Sequence, residues 1–147
     1  MSIVFEIGIT EKNNKEIERK ETIEVVASKG IIGDRYFHNF NGDREQITLI
    51  ESENIDYYNK NFNTNFNYLD FRRNIVTKDI ELNALIGKTI KVGKIKLRVN
   101  DLCRPCKNLQ NRLGQSNIIK EFLKRGGLRC EILTSGFINV GDKIINL

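Results

Sequence analysis

Proline and histidine each occur once in these 147 residues, and cysteine three times. Each scarcity excludes something. With one histidine and no nucleophile motif, no Ser/His/Asp hydrolase arrangement is arguable. Three cysteines, an odd number, make a poor disulfide framework and point to free thiols. No apolar run approaches the ~20 residues that a membrane-crossing helix needs. The opening segment, MSIVFEIGITEKNN, lacks the basic start and long apolar stretch of a signal peptide. We therefore expect a cytoplasmic protein with no membrane partner. Repeats, low-complexity tracts and linkers are missing, and the length fits a single domain over residues 1–147. The formal charge is +5, yet no run of five or more like charges occurs and no aromatics interleave with basic residues. Nucleic acid is therefore not an expected partner. Lys12, Lys15, Lys20, Lys88, Lys91, Lys94 and Lys96 are scattered among glutamates and read as solvated surface.

With so little proline, glycine and asparagine punctuate the chain. Ser2 to Thr10 is rich in β-branched residues and reads as a strand, Lys12 to Lys20 as a turn or hairpin tip, and Glu21 to Ala27 as a second strand. Gly30 to Arg44 reads as glycine-punctuated and irregular. Gln46 to Ile50 is a strand, and Ser52 to Phe62 a helix capped by Ser52. Asn74 to Thr77 is a short strand. Leu85 to Leu97 alternates apolar and charged residues on both sides of Gly93, as two strands around a turn would. Ser116 to Arg125 reads as the best helix. Ser116 can cap it, Ile118/Phe122 and Ile119/Leu123 form apolar pairs at i, i+4, and Gly126 suits its C′ position. Leu128 to Leu133 and Lys143 to Leu147 close the chain as strands. Short strands with one or two helices predict a mainly β, barrel-like fold without βαβ alternation.

Four stretches could carry chemistry. In LCRPCKNL, Cys103 and Cys106 flank Arg104 and Pro105. Zinc would need Cys130 and His38 as further ligands, both distant in sequence. A thioredoxin-like redox pair would belong in a βαβ unit near the N-terminus. Two thiols buried in the core are the plain alternative. A guanidinium beside them favours a thiolate and offers donors to an anion. In DFRRNIVT, an extended backbone would send Arg72 and Arg73 to opposite faces, with Asn74 beside Arg72. Either Arg72 recognises a phosphate or polar heterocycle, or the arginines pair with Asp70 on the surface. In GIIGDR, Gly33, Asp34 and Arg35 form either a tight turn or a ligand contact. In RGGLRC, Gly126 is explained as a cap whereas Gly127 is not; the turn could cradle an anion, with Arg129 as a further contact.

The motifs GDRY, QITLIE, RRNIVT, DIELNALIGKTIKVG, LCRPC, RGGLR and G-x-I-x-V-G-D occur in one order between Gly30 and Ile144. In that order and spacing the chain resembles the MOSC domain, the family related to the C-terminal domain of molybdenum-cofactor sulfurase, in its short stand-alone form. The resemblance implies a MOSC-type β-barrel with a few peripheral α-helices. It further implies a role around the molybdenum cofactor (molybdopterin) or in carrying sulfur for metal-centre assembly. By position, Cys106 is similar to the thiolate that ligates molybdenum in cofactor-binding relatives. Arg72 and Asn74 match the Arg-x-Asn that contacts the pterin, and Arg104 and Pro105 precede the ligating cysteine against the cofactor. Gly33, Asp34 and Arg35 match the glycine-aspartate-arginine motif, and Arg129 the late RGGLR motif; all are expected to line one cleft. Arg72, Arg129 and the Gly126–Gly127 turn are expected to serve the cofactor's phosphate. The expected activity is reduction of N-hydroxylated small molecules with an electron-donor protein. The alternative is a persulfide on Cys106, loaded by a sulfur-donor protein and resolved by Cys103. A zinc-binding module is the third reading. Overproduced protein is expected to outrun cofactor supply, so purified material can lack it.

Overall fold

The computed structural model describes residues 1–12, 15–38 and 46–147. Parts of the turn read over Lys12 to Lys20 and of the irregular stretch from Gly30 to Arg44 lie outside the described residues. The protein is mainly β, an eight-stranded sheet curled into a half-barrel with three helices. In chain order the strands are β1 (Ile3–Ile9), β2 (Glu18–Lys20), β3 (Thr22–Val26), β4 (Gly30–Ile31), β5 (Ile47–Glu51), β6 (Ile75–Lys78), β7 (Thr89–Val92), β8 (Ile95–Leu102), β9 (Leu128–Ile132), β10 (Gly136–Asn139) and β11 (Ile144–Asn146). The large sheet runs β11-β7-β8-β9-β5-β6-β1-β2, and β10-β3-β4 form a small one. The curl brings its far ends together: Ile3 bridges Lys143, the Val4 N–H donates to the Asp142 carbonyl, and the Ile144 N–H donates to the Ser2 carbonyl.

Alternation places the side chains. In β8, Ile95, Leu97 and Val99 point inward while Lys96 and Arg98 face solvent. The β7–β8 hairpin turns at Gly93 and Lys94, where Gly93 holds φ +60°, a conformation that glycine adopts without steric cost. β5 is buried on both faces. Ile47 and Leu49 enter the barrel core with Ile7, Ile75, Leu97 and Leu128. Ile50 enters an outer cluster with Ile55, Tyr58, Phe71, Leu109, Ile118 and Phe122. The three helices, α1 (Ser52–Phe62), α2 (Lys107–Leu113) and α3 (Ile118–Glu121), supply much of that outer layer.

Three expectations are corrected. β5 and β6 pair in parallel with α1 between them in sequence, so the fold contains one βαβ connection, which covers β5 on its outer side. Ser52 does not cap α1: Glu51 occupies the N-cap position with no side-chain bond, and the Ser52 hydroxyl lies 3.3 Å from Glu53 Oε1. The helix read over 116–125 keeps only the four residues of α3, with Asn117 at its N-cap in place of Ser116. Ile118 and Phe122 are buried as the i, i+4 stripe requires, but Leu123 is exposed. Gly126 lies beyond a run of turns and is not the C′ residue.

Candidate functional site

Cys103 to Cys106 link β8 to α2, and their shape follows from what they lean on. The Cys103 N–H donates to the Gly127 carbonyl (2.7 Å). Arg73, nearly buried ahead of β6, donates from Nε to the Gly126 carbonyl (2.8 Å), from Nη2 to the Cys103 carbonyl (3.0 Å) and from Nη1 to the Phe71 carbonyl (3.4 Å). Pro105 is buried, and its Cδ lies close to where a side chain on Gly126 would stand. One guanidinium thus clamps the cysteine loop and the glycine turn together. The cysteines separate accordingly. Cys103 and Cys130 are buried and Cys106 is exposed. Burial first, and then the neighbouring Cys103, push the Cys130 thiol well above its ordinary range, so it remains a neutral core residue.

Cys106 opens into a cleft of about 240 Å³ that is also lined by Arg35, Arg72, Arg73, Arg104, Arg112, Tyr36, Asn108 and Leu109. Five guanidiniums line it and, among the described residues, no carboxylate does. Two carboxylates pair with its arginines from outside the lining: Glu16 lies 3.7 Å from Arg112, and Asp101 is shared by Arg104 (3.4 Å) and Arg129 (3.5 Å). The backbone N–H of Leu102 and then Arg104 hold the Asp101 carboxyl below its usual range. Arg72 is buried at φ +62°, with Nη1 donating to the Lys15 carbonyl at 2.8 Å. Burial, followed by the charges of Arg35 and Arg112, lowers its pKa, yet guanidinium stays cationic at neutral pH. A second cavity of about 280 Å³ shares Arg72 and Arg112, and is completed by Glu16, Ile17, Phe66, Asp70 and Leu113.

The remaining motif residues stand behind this wall. Asp34 is buried and accepts from the N–H groups of Thr10 (2.9 Å) and Tyr36 (3.3 Å) and from Asn74 Nδ2 (3.3 Å). Gly33, at φ +89°, lets the chain turn into this anchor, which carries Arg35 and Tyr36 to the cleft. There Arg35 lies 4.7 Å from the centroid of the Tyr36 ring. Asn74 uses its whole amide. Its Oδ1 accepts from the N–H and hydroxyl of Thr48, and its Nδ2 donates to the Gly8 carbonyl and to Asp34. It therefore braces β1, β5 and the Asp34 turn.

Of the residues expected from sequence, the structure brings Cys106, Arg35, Arg72 and Arg104 together in the cleft. Cys103, Gly33, Asp34, Asn74, Pro105, Gly126, Gly127 and Arg129 are not among its lining residues. The Gly126 and Gly127 carbonyls accept from Arg73 and Cys103. The opposite-faces geometry expected for Arg72 and Arg73 does not hold, because Arg72 adopts a left-handed conformation and both arginines are buried. The sequence reading missed Tyr36, Asn108, Leu109 and Arg112. Arg112 and Asn108 share a face of the unanticipated α2, at i, i+4 spacing. Among the described residues no group of three or more His, Cys, Asp or Glu could hold a metal ion, which leaves the zinc reading without a ligand set.

Burial raises the Asp34 pKa above the ordinary carboxylate value; its hydrogen bonds oppose that rise without cancelling it. The folded state then binds this proton more tightly than the unfolded chain does. The associated stability is fully present below the unfolded pKa and is lost as pH rises through the folded one. Asp34→Asn cannot titrate. We expect the stability of the wild type relative to Asp34→Asn to decline as pH rises from the ordinary carboxylate value of 3.8 through the raised value of the folded state. Paired urea melts across that range test this, and a pH-independent difference would refute it.

A family model, the MOSC domain, matches residues 36–145, starting just after Gly33, Asp34 and Arg35. The fold is similar to the YuaD protein from Bacillus subtilis, at 16% identity and a TM-score of 0.83, covering 98% of this chain and 94% of that one. It is also similar to YiiM from Geobacillus stearothermophilus, at 14% identity and a TM-score of 0.78, covering 100% of this chain and 75% of that one. YiiM from Escherichia coli aligns at 15% identity and a TM-score of 0.73, covering 97% and 70%. No curated protein matches. Identities this low speak for the fold alone, whereas the family model spans most of the sequence, including the cysteine loop and every cleft arginine but Arg35: the chain belongs to the MOSC domain family.

Proposed function

We propose that this protein binds the molybdenum cofactor, with the Cys106 thiolate as the protein ligand to the metal, and reduces N-hydroxylated small molecules. The observation that carries this reading is the exposed Cys106 thiol in a cleft lined by five guanidiniums and, among the described residues, by no carboxylate. The donor set fits the group. A thiolate is a soft ligand suited to a metal that already carries sulfur, and arginine forks suit a phosphate and a polar heterocycle. When bound, the cofactor supplies the redox chemistry. The chain's own residues bind and orient it. Cys106 anchors the metal end, while Arg35, Arg72, Arg104 and Arg112 offset anionic charge. Arg73, Asp34 and Asn74 fix the backbone that presents these groups. Arg129, which shares Asp101 with Arg104, holds the rim.

Elemental analysis with pterin fluorescence tests this on protein from a cofactor-producing host, wild type beside Cys106→Ser. Near-stoichiometric molybdenum and pterin, lost in the variant, is the expected result; equal content in both would sink the ligand assignment. The exposure of Cys106 favours one second reading, a persulfide carrier whose sulfur is handed to a metal centre on another protein. Cys103, which would resolve that persulfide by thiol exchange, is buried.

A further inference from the structure

We infer that, when free of cofactor, the cleft takes a sulfane-sulfur oxyanion of the thiosulfate class as a direct sulfur donor to Cys106. This rests on the reading of Cys106 as the reactive thiolate of the site, and it names a small molecule where a donor protein was expected. The step balances. The Cys106 thiolate attacks the outer sulfur of thiosulfate, a new S–S bond forms to the protein, and the S–S bond of thiosulfate breaks. The electron pair leaves with sulfite, so a thiolate and a dianion yield a persulfide anion and a dianion. No external oxidant or reductant enters.

Three features of the cleft suit that step. First, its reactants bring three negative charges together, and a thiolate in ordinary surroundings would repel such a donor. Here Arg35, Arg72, Arg73, Arg104 and Arg112 line the cleft with the thiol and, among the described residues, no carboxylate does; Glu16 (3.7 Å from Arg112) and Asp101 (3.4 Å from Arg104) pair with two of the five from outside the lining. Guanidinium forks match the three oxygens of a sulfonate head, and a cleft lined by one sign of charge concentrates ions of the other. Second, the space of about 240 Å³ easily admits five heavy atoms beside the thiol. Third, the product faces no second solvent-exposed thiol. Cys103 and Cys130 are both buried, so no second thiol of the described chain stands in solvent to resolve the persulfide. It therefore waits for an external thiophile.

The test uses full-length protein from a host without the cofactor, since metal and sulfur compete for one thiol. After incubation with thiosulfate and desalting, we expect a gain of about 32 Da, the mass of one sulfur, on the Cys106 peptide. Adding cyanide should release it as thiocyanate. Arg112→Gln should slow loading by thiosulfate about tenfold, the lower end of electrostatic steering, and slow loading by a neutral dialkyl trisulfide by a smaller factor. The inference is overturned if Cys106 reacts with iodoacetamide yet takes no sulfur from thiosulfate. An equal slowing of both donors in Arg112→Gln would also overturn it, by making the arginine a matter of structure and not of donor charge. Failure here is separable from failure of the cofactor reading. Protein that acquires molybdenum in a competent host but no sulfur from thiosulfate refutes only the donor, and the reverse pattern refutes only the cofactor.

Discussion

Replacing Gly127 with alanine is expected to leave little folded protein. Gly127 holds φ +96°, and an added Cβ would stand 1.8 Å from the Leu49 carbonyl oxygen and 3.1 Å from the Ile50 Cα. Those atoms are backbone of β5, which is locked between β6 and β9 and buried on both faces. Neither neighbour can retreat without breaking the ladder. Backbone strain of about 1–3 kcal/mol then adds to an overpacking cost of about 1–3 kcal/mol or more. Domains of this size hold roughly 5–15 kcal/mol in all. Gly87 provides the control. It has φ +82° with nothing within 4 Å of a new Cβ, so Gly87→Ala should cost only the backbone term. Soluble yield and urea midpoints of the two variants compare the effects. Similar midpoints would show that contact with β5 does not decide the identity of Gly127.

The same contact explains which parts of the chain were readable from sequence. Strands such as β7 and β8 carry their burial pattern in alternate residues, so Ile90, Val92, Ile95 and Leu97 announce both structure and facing. α2 announces little. It starts directly after Cys106, which occupies the N-cap position without a side-chain bond, so the Ser, Thr, Asp or Asn that marks a helix start is missing. Only Asn108/Arg112 and Leu109/Leu113 repeat at helical spacing. With α2 unseen, Arg112 could not be placed in the cleft. The helix over 116–125 failed for the opposite reason. Its local signals are good, but the cap they assign to Gly126 misplaces a residue whose role is tertiary: a Cβ there would lie 2.5 Å from the Cys103 carbonyl.

The cleft divides along the same line. Cys106, Arg35, Arg72 and Arg104 were reached through motif resemblance, because unusual side chains in a fixed order mark chemistry. Asp34 and Asn74 belong to the same motifs, yet they act one layer back, where their polar groups are consumed by Thr10, Tyr36, Thr48 and Gly8. Among the described residues no buried side-chain nitrogen or oxygen lacks a partner. Sequence order reports that such residues matter together. It does not report which of them face the ligand and which hold the wall, since that depends on hydrogen bonds between residues far apart in the chain.

Arg73 is the sharpest case of a wall residue, and its removal should be the second most damaging change. Its guanidinium serves three backbone carbonyls, those of Phe71, Cys103 and Gly126, and it is nearly buried. Arg73→Gln cannot span them, and each buried acceptor left without a donor costs about 1–3 kcal/mol. A total loss of about 3–5 kcal/mol is expected, the range seen when one partner of a buried charged arrangement is removed. Arg73→Lys should recover part of it, because an ammonium keeps the charge but lacks the planar fork that reaches several carbonyls at once. Thiol accessibility separates loss of this clamp from general destabilisation. In the folded wild type, iodoacetamide should label Cys106 alone, since Cys103 and Cys130 are buried. With Arg73→Gln the cysteine loop loses the tie at the Cys103 carbonyl that joins it to the glycine turn, and Cys103 should become labelled under conditions where Cys130, inside the barrel core, stays protected. If both cysteines became labelled together, the variant would be opening globally. If neither did and the melt were unchanged, Arg73 would be one more charge on the cleft wall, and the shape of the cysteine loop would have to come from the Cys103–Gly127 bond and the packing of Pro105.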